Sequence, residues 1–157
     1  MKQTIIHKIC KAISSLGPIG FLPASGTWGS LIALPFAWVL SGTPWLFVLA
    51  LFSFFIGVLT IRPLITGNEE KDPSFVIIDE FMGQLVTFSI LGKGYMTPVL
   101  LIFGFLFFRL FDILKPWPAS FFDKKVHSAF GVMMDDLVAA LYATISLAFM
   151  LILSYKI

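Results

Sequence analysis

Residues 137–155 read LVAALYATISLAFMLILSY, nineteen positions without a charged side chain. At about 1.5 Å per residue, a helix of that length matches a hydrocarbon slab of about 30 Å. Lipid rather than water is the solvent such a segment suits. Working outward, residues 12–61 form fifty consecutive positions without Asp, Glu, Lys, Arg or His, far more than one buried core helix needs. With 58% hydrophobic and 13% charged residues, and a mean hydropathy of +0.94, the 157-residue chain has too little polar surface to cover a water-soluble fold. The expectation is a single domain over residues 1–157, an all-α polytopic membrane helical bundle.

Breakers divide the chain into about five apolar runs, some of them short or incompletely spanning. Thr27 to Leu40 contains Pro35, and Ser41-Gly42-Thr43-Pro44 then turns into Trp45 to Ile61. Phe75 to Leu91 carries Asp79 and Glu80 near its start and ends at Gly92-Lys93-Gly94. The fourth run begins at Thr97-Pro98, a cap with proline at the first helical position, and stops near Lys115 because Pro116 and Pro118 cannot continue it. Leu137 to Tyr155 is the fifth. The N-terminal MKQTIIHKICK is interrupted by Lys2, Lys8 and Lys11, so it lacks the apolar core of a secretory signal and is expected to stay on the protein.

Threading the five runs with the N-terminus inside places loops 62–78 and 116–134 on the inner side and the turns near 41–44 and 92–97 outside. Lys2, Lys8, Lys11, Arg62, Lys71, Arg109, Lys115, Lys124 and Lys125 then fall inside, and only Lys93 and Lys156 outside, as the positive-inside rule requires. All nine acids reach the same inner side: Glu69, Glu70, Asp72, Asp79, Glu80, Asp112, Asp123, Asp135 and Asp136. A formal charge of +2, with no basic run longer than Lys124-Lys125, points away from nucleic acid. Cys10 is the only cysteine, which excludes disulfides within the chain and thiolate metal clusters.

Asp79-Glu80 and Asp135-Asp136 are acid pairs set in apolar sequence where two runs enter the membrane. Burying paired carboxylates is costly unless a cation compensates; otherwise their heads must reach water at the interface. Oxygen ligands without thiolates, and with only His7 and His127 as histidines, favour Mg²⁺ over Zn²⁺. Arg109, Asp112 and Lys115 follow at successive spacings of three. They read either as a neutralising helix-end pair with Lys115 snorkelling, or as a phosphate grip in which Asp112 orients the two cations or joins the metal. Asp123 and His127 share a face if residues 121–127 are helical, and a histidine beside a carboxylate suits proton donation to a leaving alkoxide. Gly26-Thr27-Trp28-Gly29-Ser30 offers amides and hydroxyls at a helix N-terminus, a place for phosphate, or else simple close packing of helices. Glu69, Glu70, Lys71 and Asp72 look like a solvated loop.

Together, Gly26-Thr27-Trp28-Gly29-Ser30, Ile78-Asp79-Glu80-Phe81, the run Phe108-Arg109-Leu110-Phe111-Asp112-Ile113-Leu114-Lys115-Pro116-Trp117-Pro118, Phe122-Asp123, and His127 with Gly131, Asp135 and Asp136 resemble, in order, the phosphatidylglycerophosphatase A family. The resemblance covers roughly residues 17–145 and departs at Ser25, where proline is common, and at Ser128, where glycine is. It implies Mg²⁺-dependent hydrolysis of the terminal phosphate monoester of phosphatidylglycerophosphate to phosphatidylglycerol, at the cytoplasmic face of a bacterial inner membrane. On that basis Asp79, Glu80, Asp135 and Asp136 are expected to hold Mg²⁺, and Thr27, Arg109 and Lys115 to bind substrate. Asp79, Asp112, Asp123 and His127 are the catalytic candidates, with His127 protonating the departing glycerol oxygen. Any of the acids is chemically able to attack phosphorus, so an aspartyl-phosphate stands beside direct attack by water.

Other classes fit less well. Leu16 stands six positions after Cys10, so no Cys-x5-Arg phosphatase loop exists, and His127 lacks a partner for two-histidine chemistry. The spaced Asp-Gly and Ala-Arg signature of a phosphatidyltransferase is absent. A small ion or proton transporter would explain the acids but not the accompanying Arg, Lys and His.

Overall fold

The computed structural model describes residues 2–66 and 73–154, and every regular element in them is helical. The seven α-helices are α1 (Lys2–Ser14), α2 (Ser25–Leu40), α3 (Pro44–Ile65), α4 (Ile78–Ser89), α5 (Pro98–Leu114), α6 (Ala119–Lys125) and α7 (Ala129–Ser154). Their ends follow local chemistry. Pro44 and Pro98 open α3 and α5, and the Thr97 hydroxyl accepts a hydrogen bond from the Leu100 amide at 3.2 Å. Lys115 closes α5 in the left-handed conformation, φ 43° and ψ 60°, immediately before Pro116.

Helix α4 forms the centre of the bundle, touching α2, α3, α5 and α7. The third apolar run is therefore not a lipid-facing span. Residues 75–77 are not helical, and the helix that follows has twelve residues, about 18 Å. Buried side chains lie on nearly every side of it, from Ile78 through Met82 and Leu85 to Phe88. Of the five runs, two lie in helices long and apolar enough to cross a membrane: α3, with 22 residues, and α7, with 26. Helix α7 starts at Ala129, eight positions before the uncharged run at Leu137, because caps set helix ends whereas charge had set the run. Ser128 is that cap; its Oγ accepts from the Gly131 amide at 3.2 Å.

Large apolar side chains face outward around the bundle, among them Phe52, Phe55 and Leu59 on α3, Ile102 and Leu106 on α5, and Ile145 and Phe149 on α7. So wide an apolar exterior is consistent with membrane association. The turns expected to share one side do meet, since Gly42, at φ +70°, lies against the Lys93 backbone so closely that a side chain would collide with it.

Helix α1 packs on α3 and leaves Ile5, Ile6, Ile9 and Ile13 exposed. It also steadies the approach to α4. The Ser14 carbonyl accepts from the Ile77 amide at 2.9 Å, the Ser14 hydroxyl donates to Thr60 at 2.9 Å, and the Lys11 ammonium sits 4.5 Å from the centre of the Phe75 ring. Ser25, on α2, adds a fourth tie, donating to the Ser74 carbonyl at 2.6 Å. Ser25 and Ser128 thus both act structurally through their hydroxyls. Glu69, Glu70, Lys71, Asp72, Tyr155 and Lys156 lie outside the described residues.

Candidate active site

One end of the bundle gathers the first turns of α2 and α4, the last two turns of α5, α6 and the second turn of α7. Asp79 and Glu80 come from α4 and Asp136 from α7. Each offers a carboxylate oxygen, and these three oxygens lie within 4.8 Å of one another. Asp79 is 6% exposed and Asp136 3%. Glu80 is held between two neighbours. Arg109 Nη1 stands 3.9 Å from its Oε1, and Gly26 on α2 backs directly onto its carboxylate, where any side chain at position 26 would overlap it. The glycines at 26 and 29 therefore permit the close packing of α2 on α4. Gly29 meets the Ile77 carbonyl, and Gly26 meets a charged group. Thr27, half-buried, follows in the same turn of α2.

Arg109 pairs at 2.5 Å with Asp112, as the i, i+3 spacing predicted. Lys115 does not stay on that track, because the left-handed turn at the end of α5 swings it away from Asp112. Its Nζ lies instead 2.5 Å from Asp135 and 2.9 Å from Asp123. Snorkelling is therefore not its arrangement here. Burial works against the Lys115 ammonium, but the Asp135 carboxylate and the hydrogen bonds that Lys115 donates to Asp135 and Asp123 outweigh it and hold its pKa above the ordinary lysine value. Asp135, expected beside the other three acids, stands on Lys115 and accepts a 2.9 Å bond from the Asp136 amide.

Helix α6 ends at Lys125, so His127 reaches the site from a short loop and not from the helical face expected for residues 121–127. The loop nevertheless brings it to a cleft of about 20 Å³ lined by Asp123, His127, Ser128 and Asp135, among others. A larger cavity, about 650 Å³, lies between α2 and α3 near the 41–44 turn and is lined by apolar side chains such as Phe36, Trp45 and Phe52; it is remote from the charged groups.

The cluster holds more negative charge than its own cations balance. Arg109 serves Asp112 and Glu80, and Lys115 serves Asp123 and Asp135. Glu80 Oε2 and Asp136 Oδ2 are buried without a hydrogen-bond partner. Buried carboxylates with orphaned oxygens fit a hard divalent cation bound through oxygen. Gln84 is the polar residue that sequence reasoning passed over. It is fully buried one turn beyond Glu80, with neither amide atom partnered. The available signal was a glutamine inside an apolar run, four positions after an acid.

Comparison with known proteins adds a family. The model of the phosphatidylglycerophosphatase A family matches residues 12–151. A phosphatidylglycerophosphatase A of Haemophilus influenzae is 32% identical over 148 residues, covering 86% of this chain and 90% of that protein. The Escherichia coli protein of the same name is 34% identical over 128 residues, 80% of this chain and 71% of the relative. A putative phosphatidylinositol-3-phosphatase of Bacteroides thetaiotaomicron is 34% identical over 140 residues, 82% of this chain and 85% of the relative. No solved structure matches.

Proposed function

The chain belongs to the phosphatidylglycerophosphatase A family, and from that premise we propose that it hydrolyses the terminal phosphate monoester of phosphatidylglycerophosphate, with Mg²⁺, to phosphatidylglycerol and inorganic phosphate. The observation that carries the chemistry is the group Asp79, Glu80 and Asp136, three carboxylates gathered beside Arg109 and Lys115, two of them, Glu80 and Asp136, with an oxygen buried without a hydrogen-bond partner. A phosphate dianion approaching such a group needs a cation between them. Asp79, Glu80 and Asp136 would hold Mg²⁺, with Asp135 beside them on Lys115. When bound, the ion neutralises phosphate charge and lowers the pKa of the attacking water.

The remaining steps belong to the chain's own side chains. Arg109 uses one guanidinium nitrogen on Asp112 and Glu80, which leaves its other donors for the nonbridging phosphate oxygens; Lys115, held by Asp135 and Asp123, adds a second positive charge. Thr27 lines the α2 side of the phosphate. A carboxylate of the cluster, Asp79 or Asp112, takes the proton of the water that attacks phosphorus. As the bond from phosphorus to the glycerol oxygen breaks, His127 gives that oxygen its proton, with Asp123 beside it in the cleft.

The lipid setting follows from the same layout. The chain crosses the inner membrane of a bacterium several times with its N-terminus in the cytoplasm, α3 and α7 as full spans and α4 shielded within the bundle, so its shortness is tolerated. The positive-inside partition supports placing the carboxylate end in the cytoplasm, with the lipid's acyl chains among the helices.

Phosphate release from mixed micelles decides the matter. Purified protein should release phosphate from phosphatidylglycerophosphate with Mg²⁺ and not with chelator. The Bacteroides relative's printed name makes phosphatidylinositol 3-phosphate the second substrate to include. Preference for it would reassign the headgroup, whereas ion flux in sealed vesicles without any phosphate release would move the protein to the transporter class.

A further inference from the structure

Among the described residues, the buried side-chain atoms without a hydrogen-bond partner are Glu80 Oε2, Asp136 Oδ2, and the Nε2 and Oε1 of Gln84. Two belong to the carboxylate group, and the other two sit on one side chain a helical turn from it. Elsewhere among the described residues the bundle satisfies its buried polar side chains. The Thr87 hydroxyl donates to the Gly83 carbonyl at 3.0 Å, Ser30 to Gly26 at 3.1 Å and Thr144 to Ala140 at 2.8 Å. Gln84 is fully buried and has no such bond. As a packing element it is a poor choice, since an apolar side chain of equal size would fill the space without burying two polar atoms.

Its position supplies a use. Residues four apart on a helix stand side by side, so Gln84 neighbours Glu80 on α4. At the adjacent Gly83, α4 approaches α7 so closely that a Cβ would lie 3.2 Å from the Asp136 carbonyl oxygen. Gln84 lies one residue past that contact, on the Glu80 side of α4 and one helical turn further along the helix than Glu80. A buried amide and a buried carboxylate oxygen on residues four apart, neither with a hydrogen-bond partner, can both turn to a shared ligand.

We propose that Gln84 is a positioning residue of the cation site, its Nε2 orienting Glu80 Oε2 and its Oε1 accepting from a water of the ion's shell. This rests on the reading of Asp79, Glu80 and Asp136 as a cation site. Partners of this outer kind orient the ligands, and their loss typically weakens metal affinity about 10- to 100-fold.

The test uses the purified full chain, Mn²⁺ as a paramagnetic stand-in for Mg²⁺, and Gln84→Met with Gln84→Leu as a second variant should the first fold poorly. Free Mn²⁺ is titrated by electron paramagnetic resonance, and thermal unfolding is followed in EDTA, so neither readout depends on turnover. The proposal expects the Mn²⁺ dissociation constant to rise about 10- to 100-fold while the melting temperature in EDTA holds or increases. Unchanged Mn²⁺ affinity with a lowered melting temperature would make Gln84 a packing residue and overturn the proposal alone. A wild-type chain that binds no Mn²⁺ would overturn the cation site itself, and Gln84's role with it.

Discussion

Gly26→Ala separates a helix-packing glycine from one that shapes the site. A Cβ at position 26 would lie 2.9 Å from Glu80 Cδ and 3.2 Å from Arg109 Nη1, and would overlap Glu80 Oε1. Ordinary carbon contacts need about 3.5–4.0 Å, and Oε1 is nearer still than Cδ, so the carboxylate must retreat by more than about 1 Å, in a pocket where Arg109 and Asp112 restrict where it can go. Overpacking of this kind costs about 1–3 kcal/mol of stability. The larger effect falls on catalysis, because displacing a site group by about 1 Å can cost on the order of 10²-fold. Phosphate release from lipid micelles should therefore show kcat/KM lower by about 10²-fold, measured per folded molecule. Gly104→Ala is the matched control. Its Cβ would strike the Phe88 ring in the core, away from the charged end, so it should lower the melting temperature and leave kcat/KM per folded molecule near wild type. If Gly26→Ala keeps kcat/KM within about threefold of wild type while Gly104→Ala behaves as expected, the reasoning that ties Gly26 to the Glu80 geometry is wrong.

Asp79→Asn and Asp136→Asn keep side-chain size and remove the charge that would hold the cation, so each should lower turnover by more than about 10²-fold at limiting Mg²⁺; near-wild-type turnover at both limiting and saturating Mg²⁺ would dismiss the site. Lys115→Met leaves Asp135 buried without its cation and should lower stability by up to about 3 kcal/mol in chemical denaturation, whereas an unchanged midpoint would make the pair energetically silent. Single-cysteine labels in a Cys10→Ser background should place a residue beside Lys124 on the cytoplasmic side and one beside Lys93 on the opposite side; labelling of both from one side would break the topology.

Much of the architecture was legible because solvation is written in composition. Fifty uncharged residues and a nineteen-residue apolar run leave few choices but helices, and Thr97-Pro98 and Lys115-Pro116 marked the ends of α5 because proline chemistry acts within one turn. Arg109 with Asp112 was equally local, an i, i+3 contact that needs only the helix. Asp79, Glu80, Arg109, Asp112, Lys115, Asp123, Asp135 and Asp136 could also be assigned to one end, since the order of the apolar runs between them groups them there whatever the packing.

Tertiary structure decided the rest. That α4 is a short central helix depends on which neighbours cover it, and an apolar run reads alike whether lipid or protein surrounds it. Lys115 reaches Asp135 and Asp123 because one left-handed residue redirects its side chain, and no spacing rule carries through such a turn. Asp79 and Glu80 meet Asp136 while Asp135 is turned to Lys115, although both acids belong to one adjacent pair. On a helix consecutive side chains diverge by about 100°, so only the packing of α4, α5 and α7 determines which acid faces its own kind and which faces a cation.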